Sequence, residues 1–459
     1  MFINLFANKY LGRQILLSSI GLVQGACAGG IFAFTSVLFA QLKHDHTIQL
    51  DTDNESWLAS IPTILMFPSC LLSGVTMEAV GRKRTIFLSE ILALSSWLLT
   101  YFATDYAMLL GARILIGIFL GIVYPTFITY LGEVSEPKYR TIFLTAIPIG
   151  STFGAFICQF LGEYVQWKIV ALIFFFFPLY DLLLLFFIKD SYVTCLDKNN
   201  LENARACYEW FRGDALDAKR EFDDILVERK TKQKESFMQL LHMCANRAFL
   251  IPLSITTLVF LTNEFTGTQA VIFYTSQIIN MIKDDPEFVY YATLVLNILR
   301  IVAVILSLLL VKITSVRFIL LSSGYMLGLS LLLLALFMYL SMLYSSNTVF
   351  PIISLCALVM NTVLYGIGLG PLPSVVCGEM FPQATRGIGG SISAACSFLF
   401  LFIVVKFMPM LFSTIGSYWT FFIFGIFTLI GIAASHFFLP NTKNKTLQEI
   451  NKLYQDNVN

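Results

Sequence analysis

Twelve mostly apolar stretches, each long enough to cross a bilayer as a helix, constrain this chain before any motif is read. A hydrocarbon core ~30 Å thick needs about 20 helical residues. The stretches run over 15–40, 57–77, 85–104, 107–131, 141–163, 168–188, 249–281, 289–311, 317–343, 350–377, 387–408 and 417–439 of the 459 residues. With 57% of residues hydrophobic and 13% charged, the chain carries about half the charge of a soluble domain. No strand-like alternation with evenly spaced turns is present, which excludes a transmembrane barrel and predicts an all-α membrane protein. The formal charge of +1 supplies no field to attract nucleic acid.

Basic residues set the orientation, because they stay on the cytoplasmic side during insertion. With the N-terminus inside, most of the 30 Lys and Arg fall on cytoplasmic segments, among them Arg82 to Arg84, Lys138, Arg140 and the run from Lys189 to Arg247. Lys43, Lys168, Lys283 and Lys406 lie outside or at outer helix ends, and Arg113 and Arg300 fall within helices. Both termini are therefore expected in the cytoplasm, with the first span uncleaved. The sequon at Asn54 falls in the first outer loop, where a glycan can be added. His44 and His46, beside Asp45 and Asp51, read as a solvated outer loop rather than a metal site. Cys27, Cys70, Cys158, Cys356, Cys377 and Cys396 sit in apolar runs, and Cys195, Cys207 and Cys244 in or beside the one long polar insert. Free thiols are expected throughout.

That insert, about 190–246, divides the stretches six and six, and Leu201, Ala204, Tyr208, Phe211, Phe222, Ile225 and Leu226 recur in it at helical spacing. The halves repeat. Gly132-Glu133 with Arg140 is matched by Gly378-Glu379 with Arg386, and both pairs are offset by 246 residues. Two six-helix repeats around a central cavity form the architecture of a transporter. The expected division is a bundle over 1–189, a cytoplasmic linker with short amphipathic helices over 190–246, a second bundle over 247–440 and a tail over 441–459. Acids at helix ends (Glu78, Glu133, Asp190, Glu379) face bases at the next helix starts (Arg82, Arg140, Arg386). Such groups are expected to form a charge-assisted latch holding the halves together on the inside, with Gly81 allowing the tight turn. Pro371 and Pro373, with Gly366, Gly368 and Gly370, predict a bend in the tenth stretch.

In family order stand Glu55-Ser56-Trp57, Glu78 to Lys83 around Gly81-Arg82, Tyr130 to Glu133 through Arg140, Gly267 to Tyr274, Gly370-Pro371-Leu372-Pro373, Gly378-Glu379-Met380-Phe381-Pro382, and Pro440 to Leu447. Over nearly the whole chain these residues resemble the sugar porter family of the major facilitator superfamily, with the nearest likeness to the insect facilitated trehalose transporter type. The resemblance implies a twelve-helix major facilitator fold, with Phe273 and Tyr274 at the outer aromatic gate. It implies further that a sugar is held by residues at the positions of Pro148, Asn263, Glu264, Gln269, Arg300, Ser374 and Ser397. There the family carries amides and one indole, and only Asn263 and Gln269 keep amide chemistry here. In the second half Lys312 and Ser315 depart from the family's loop pattern, as does Lys189-Asp190-Ser191-Tyr192 after the sixth stretch.

Glu264 and Arg300 are charges in mid-membrane, and their family positions face one cavity. They read as a mutual pair that tethers two helices or contacts the substrate, or Glu264 reads as a protonatable coupling group. Arg113 matches a family arginine. Asp181 has no family counterpart and reads as a helix-paired structural acid or a second functional one, and Glu90 reads as structural. No P-loop, dinucleotide fingerprint or nucleophile constellation is present. The chain is therefore expected to be no enzyme and to need no cofactor or metal. It is expected to be a monomeric plasma-membrane facilitator of a sugar, with a transporter of another or charged solute, or a non-transporting sugar sensor, as the alternatives.

Overall fold

The computed structural model describes residues 9–45, 48–198, 200–213, 216–231, 246–344, 349–381 and 386–440. Before the linker come α1 (Lys9–Asp45), α2 (Thr52–Val80), α3 (Arg82–Tyr101), α4 (Tyr106–Val134), α5 (Pro137–Leu144), α6 (Ala146–Tyr164) and α7 (Trp167–Phe187). The linker gives α8 (Tyr192–Asp197), α9 (Leu201–Arg212) and α10 (Leu216–Thr231). After it come α11 (Arg247–Phe265), α12 (Thr268–Phe273), α13 (Thr275–Ile282), α14 (Pro286–Ile313), α15 (Val316–Leu343), α16 (Val349–Ile367), α17 (Leu372–Met380), α18 (Arg386–Thr414) and α19 (Ser417–Phe438). Among the described residues, 11 helical stretches are long and apolar enough to cross a membrane. The expected stretch over 85–104 is not one of them. Its helix α3 runs for 20 residues but opens on Arg82, Lys83 and Arg84 and buries Glu90. The first outer loop is shorter than expected because α1 continues through Asp45, and His46 lies outside the described residues.

Three expected spans are interrupted rather than continuous. The stretch over 141–163 breaks at Thr145 between α5 and α6, where Pro148 has no N–H to offer the carbonyl of Leu144 four residues back. The stretch over 249–281 falls into three helices. Gly267 enters the left-handed region at φ 70°, and Tyr274 separates α12 from α13. Only glycine fits at Gly267, since a Cβ there would lie 2.6 Å from the Phe424 ring. In the stretch over 350–377, residues 368–371 leave the regular helix, the amide of Gly370 donating five residues back to Tyr365 O at 2.8 Å while Gly368 and Leu372 still donate four residues back. The bend expected from Gly370, Pro371 and Pro373 is thus a true break.

Helices α1 and α6 approach more closely than side chains would permit. A Cβ on Gly29 would collide with the carbonyl of Ser151, and one on Gly154 with that of Ala26. Without a hydrophobic drive between helices in lipid, such backbone contact is what holds them. The linker helices dock on the same half. Arg13 donates to Trp210 O at 2.6 Å and covers its ring at 4.5 Å, while Gln14 donates to Phe211 O at 2.9 Å. As the spacing predicts, Ala204, Tyr208, Phe211 and Phe222 are buried, but Leu201, the first residue of α9, is exposed.

Helix α2 packs along α18, with Cys70 Sγ 3.9 Å from Ser391 O toward the linker end, and most of the other hydrogen bonds between helices before and after the linker lie at the end away from α8–α10, the distal end. Lys406 of α18 reaches Asp53 at 2.9 Å and Ser56 at 2.7 Å on α2, with Nζ 4.0 Å from the Trp57 ring centroid. Ser36 of α1 donates to Ser276 of α13 at 3.0 Å, and Tyr164 of α6 shares a hydrogen bond with Tyr290 of α14 at 2.7 Å. Deeper, Asn297 of α14 donates to Gln159 of α6. Gly29→Leu or Gly154→Leu is expected to abolish monodisperse protein in detergent by size-exclusion chromatography, whereas Gly74→Leu, at a glycine facing open space, is expected to leave it unchanged.

Candidate functional site

The last turn of α11 carries Asn263 and Glu264, and the break at Gly267 leaves them beside α18 and α16. Glu264 Oε1 accepts from Asn263 Nδ2 at 2.9 Å and from Ser397 Oγ at 2.7 Å, while Oε2 has no partner. Arg300 of α14, 7% exposed, has no ion pair or hydrogen bond among the described residues, and its Nε is buried and unpartnered. The expected Glu264–Arg300 pair does not form. Tyr365 of α16 is within electrostatic reach of both and faces Asn263, and Ser397 already holds one Glu264 oxygen. The Tyr365 hydroxyl and Asn263 Oδ1 are themselves unpartnered. One turn before Tyr365, Asn361 accepts from Thr268 Oγ1 at 3.0 Å and keeps its own Nδ2 free.

Buried polar groups normally have partners, and each orphan in a dry interior costs about 1–3 kcal/mol. Five orphans, Asn263 Oδ1, Glu264 Oε2, Arg300 Nε, Asn361 Nδ2 and the Tyr365 hydroxyl, share this region. They present both donors and acceptors. Such an arrangement can take a neutral polyhydroxylated molecule, whose every hydroxyl donates one bond and accepts others.

The other expected substrate positions are not all joined to this cluster. Ser397 is in it, Gln269 is half-buried on α12 with no polar partner, and Ser374 is exposed on α17. The indole that the resemblance implies at Ser374 has no replacement there. Tyr365 and Asn361 were not singled out from the sequence. Their spacing of four puts both on one face of α16 just before the Gly and Pro run, which is the signal they offered. Phe273 and Tyr274 do face α1. Phe273 lies 5.2 Å from Phe32, and Tyr274 lies 6.3 Å from Phe39 and donates to Val405 O at 3.1 Å.

The charge latch also differs from expectation. Arg82 Nε and Nη2 donate to Glu133 Oε1 at 3.1 and 3.0 Å, and Nη1 donates to Asp197 of α8 at 3.1 Å. Ser191 donates to the other Glu133 oxygen, and Asp190 accepts from the amides of Lys83 at 3.1 Å and Ser191 at 2.8 Å. Among the described residues the network therefore joins the α2–α3 turn, α4 and the linker, and it reaches no described group of the second half. Asp197 and Ser191 supply the bonds that a partner from the other half was expected to make. Gly81 adopts φ 103° at the centre of this network. Arg140 reaches only Ser135 O at 3.4 Å, and Glu78 is exposed without a polar partner among the described residues. The side chains of Glu379 and Arg386 lie outside the described residues.

A family model described as "Sugar (and other) transporter" matches residues 15–454. The facilitated trehalose transporter Tret1 of Anopheles gambiae is 26% identical over 446 residues, 96% of this chain and 56% of its own length. Tret1 of Polypedilum vanderplanki is 27% identical over 450 residues, covering 96% of this chain and 88% of its own length. The chain spans about half the length of several such relatives, 48% in Drosophila grimshawi. Among solved structures, the inward-open xylose transporter XylE from E. coli superposes with a TM-score of 0.76 at 17% identity, over 95% of this chain and 99% of that one. XylE bound to 6-bromo-6-deoxy-D-glucose gives 0.77 at 16% identity, over 96% of this chain and 99% of that one. At such identities the likeness is one of fold, that of the major facilitators.

The two arginines can be told apart by thermal unfolding in detergent. Arg82→Met breaks a buried network and is expected to cost about 3–5 kcal/mol, whereas Arg300→Met removes a buried charge with no counter-ion and is expected to be neutral or stabilising. A loss at Arg300 as large as that at Arg82 would mean that Glu264 is its partner after all.

Proposed function

Since the chain belongs to the sugar (and other) transporter family, we propose that it moves a neutral sugar of the trehalose or hexose type across a membrane by alternating access and facilitated diffusion. The observation that carries this reading is the cluster of unpartnered donors and acceptors at Asn263, Glu264, Arg300, Asn361 and Tyr365. Sugar hydroxyls complete those bonds when bound, and the chain compensates there for the amides absent at Pro148 and Arg300. Glu264 and Arg300 act separately in this reading, the carboxylate accepting from hydroxyls and the guanidinium donating to them. The names of the trehalose and xylose transporters among its relatives favour the same class of substrate.

In the same reading α3 is a twelfth crossing. Residues 1–189 and 247–440 form two six-helix bundles, 190–246 is a cytoplasmic linker, 441–459 is a cytoplasmic tail, and the distal end faces outward. The protein then resides in the plasma membrane as a monomer, with Asn54 open to glycosylation. Phe273 and Tyr274 close the outer side against α1, and the break at Gly370 to Pro373 lets α17 swing relative to α16. The latch about Gly81, Arg82, Glu133 and Asp190 keeps the first bundle and linker rigid while the second moves. Glu78, Arg140, Glu379 and Arg386 belong to the same helix ends. Gln269 and Ser374 border the solute path beside the cluster.

Counterflow in proteoliposomes preloaded with trehalose or glucose tests this. Trans-stimulated uptake of one of them is expected, with Tyr365→Phe raising KM roughly fivefold to tenfold through one lost hydrogen bond. No counterflow of any neutral sugar by folded, inserted protein would overturn the reading.

A further inference from the structure

The first half of the chain buries a second set of acids that sugar binding does not use. Glu90 on α3 is 0% exposed, and Asp181 on α7 is 1% exposed. Each lies about two helical turns in from the linker end. Glu90 Oε1 accepts from Gln24 Nε2 of α1 at 2.8 Å, but its Oε2 and both Asp181 oxygens have no partner. Helix α7 packs against both α3 and α1, and Glu90, Asp181 and Cys27 of α1 are all buried in that interior. Trp97, on the same face of α3 as Glu90, turns a buried, unpartnered Nε1–H toward Cys27.

No base on the surrounding helices neutralises the pair among the described residues. Arg113 of α4 donates to Ile31 O at 3.2 Å and lies over the Phe34 ring, with Cys158 of α6 near it. Arg82 at the start of α3 is held by Glu133 and Asp197, and Tyr180 of α7 shares a hydrogen bond with Ser19 of α1 at 3.4 Å. Two carboxylates buried in one helix-packed interior with unpartnered oxygens cannot both stay charged without a cation. A hard metal ion takes about six oxygen ligands, more than the three unpartnered oxygens of Glu90 and Asp181 supply. The ligand that fits is smaller.

We propose that the buried carboxyls of Glu90 and Asp181 form a proton-binding site in the first half of the chain, one dissociable proton keeping the two from being charged at once, and that solute flux follows its occupancy. With the proton in place, α3 and α7 pack across a neutral contact. Without it, two anions repel and draw in water, loosening α7 and the Gln24 turn of α1. Further along, α1 carries Phe32, Ser36 and Phe39, which close the distal end against α12 and α13. The link to flux rests on the sugar-transport reading, whereas the proton site itself does not.

The test uses the full-length protein and a membrane-permeant carbodiimide, which couples to protonated buried carboxyls, with the labelled residue located by peptide mass mapping over a pH series. Label on Glu90 or Asp181 is expected, falling about tenfold per pH unit above the point of dissociation, insensitive to sodium, and absent from the E90Q/D181N double variant. No label on either residue at any pH, or label that sodium displaces while pH does not change it, overturns the proton site. Measurement on the natural chain makes this result independent of whether the variants fold. In the same preparations, counterflow by the natural chain is expected to decline as pH rises while Asp181→Asn holds the low-pH rate. Flat flux over a range in which the label titrates would overturn the link to transport. Absence of counterflow at every pH would instead count against the sugar reading, with the label still deciding the proton site.

Discussion

Lipid offers no hydrogen bonds to the spans that this chain builds, so every backbone amide facing it must find its partner within the protein. That constraint keeps most of the spans as unbroken helices and makes each interruption meaningful. The breaks at Thr145, Gly267, Tyr274 and residues 368–371 leave backbone groups that lipid could not satisfy. Such backbone is tolerated at membrane depth only where protein covers it or where it lines a wet space. Two of the breaks flank the polar cluster. Gly267 follows Glu264 by three residues, and the 368–371 break follows Tyr365 by three. The cost of breaking these helices is thus borne next to the side chains that would hold a solute.

Much of this was legible in the sequence because a 20-residue apolar run is a long signal that no local detail can erase. The Gly and Pro positions that interrupt the helices were legible too, since both residues act through the backbone. What could not be read was the choice of partner. Glu264 has Arg300, 36 residues on along the chain in α14, as its obvious counter-charge, yet it bonds to Ser397 and Asn263. Charge complementarity reads from sequence, whereas the rotation of α14 relative to α11 does not. Tyr365 was hidden for another reason. An aromatic in an apolar helix looks like packing, and only its unpartnered hydroxyl separates it from the many rings that are packing.

The latch shows the same limit at the opposite end. The matched pairs at an offset of 246 residues suggested symmetric parts acting across the halves. In the fold, Arg82 and Glu133 are instead completed by Asp197 and Ser191 of the linker. An acid within a polar insert is indistinguishable in sequence from a merely solvated one. The repeat is real as sequence, and the linker that follows its first copy supplies partners to Arg82 and Glu133.

That asymmetry assigns the two halves different mechanical characters. The first is tied by backbone contact at Gly29 and Gly154 and by a dense charge network around Arg82. The second is broken at Gly267, Tyr274 and residues 368–371, and it holds the five polar orphans of the candidate site. Close packing transmits strain as rigid-body movement, whereas short helix segments absorb it locally. A solute that satisfies the orphans acts on the segmented half directly. It reaches the other half through the polar contacts made by Lys406, Ser276 and Asn297 and through the packing of α2 against α18. The polar contacts are hydrogen bonds and one ion pair, each exchangeable for water at small cost, and they stand beside ring contacts of Phe32 with Phe273, Phe39 with Tyr274 and Trp57 with Phe402. An interface of that kind can open and close repeatedly without unfolding either half.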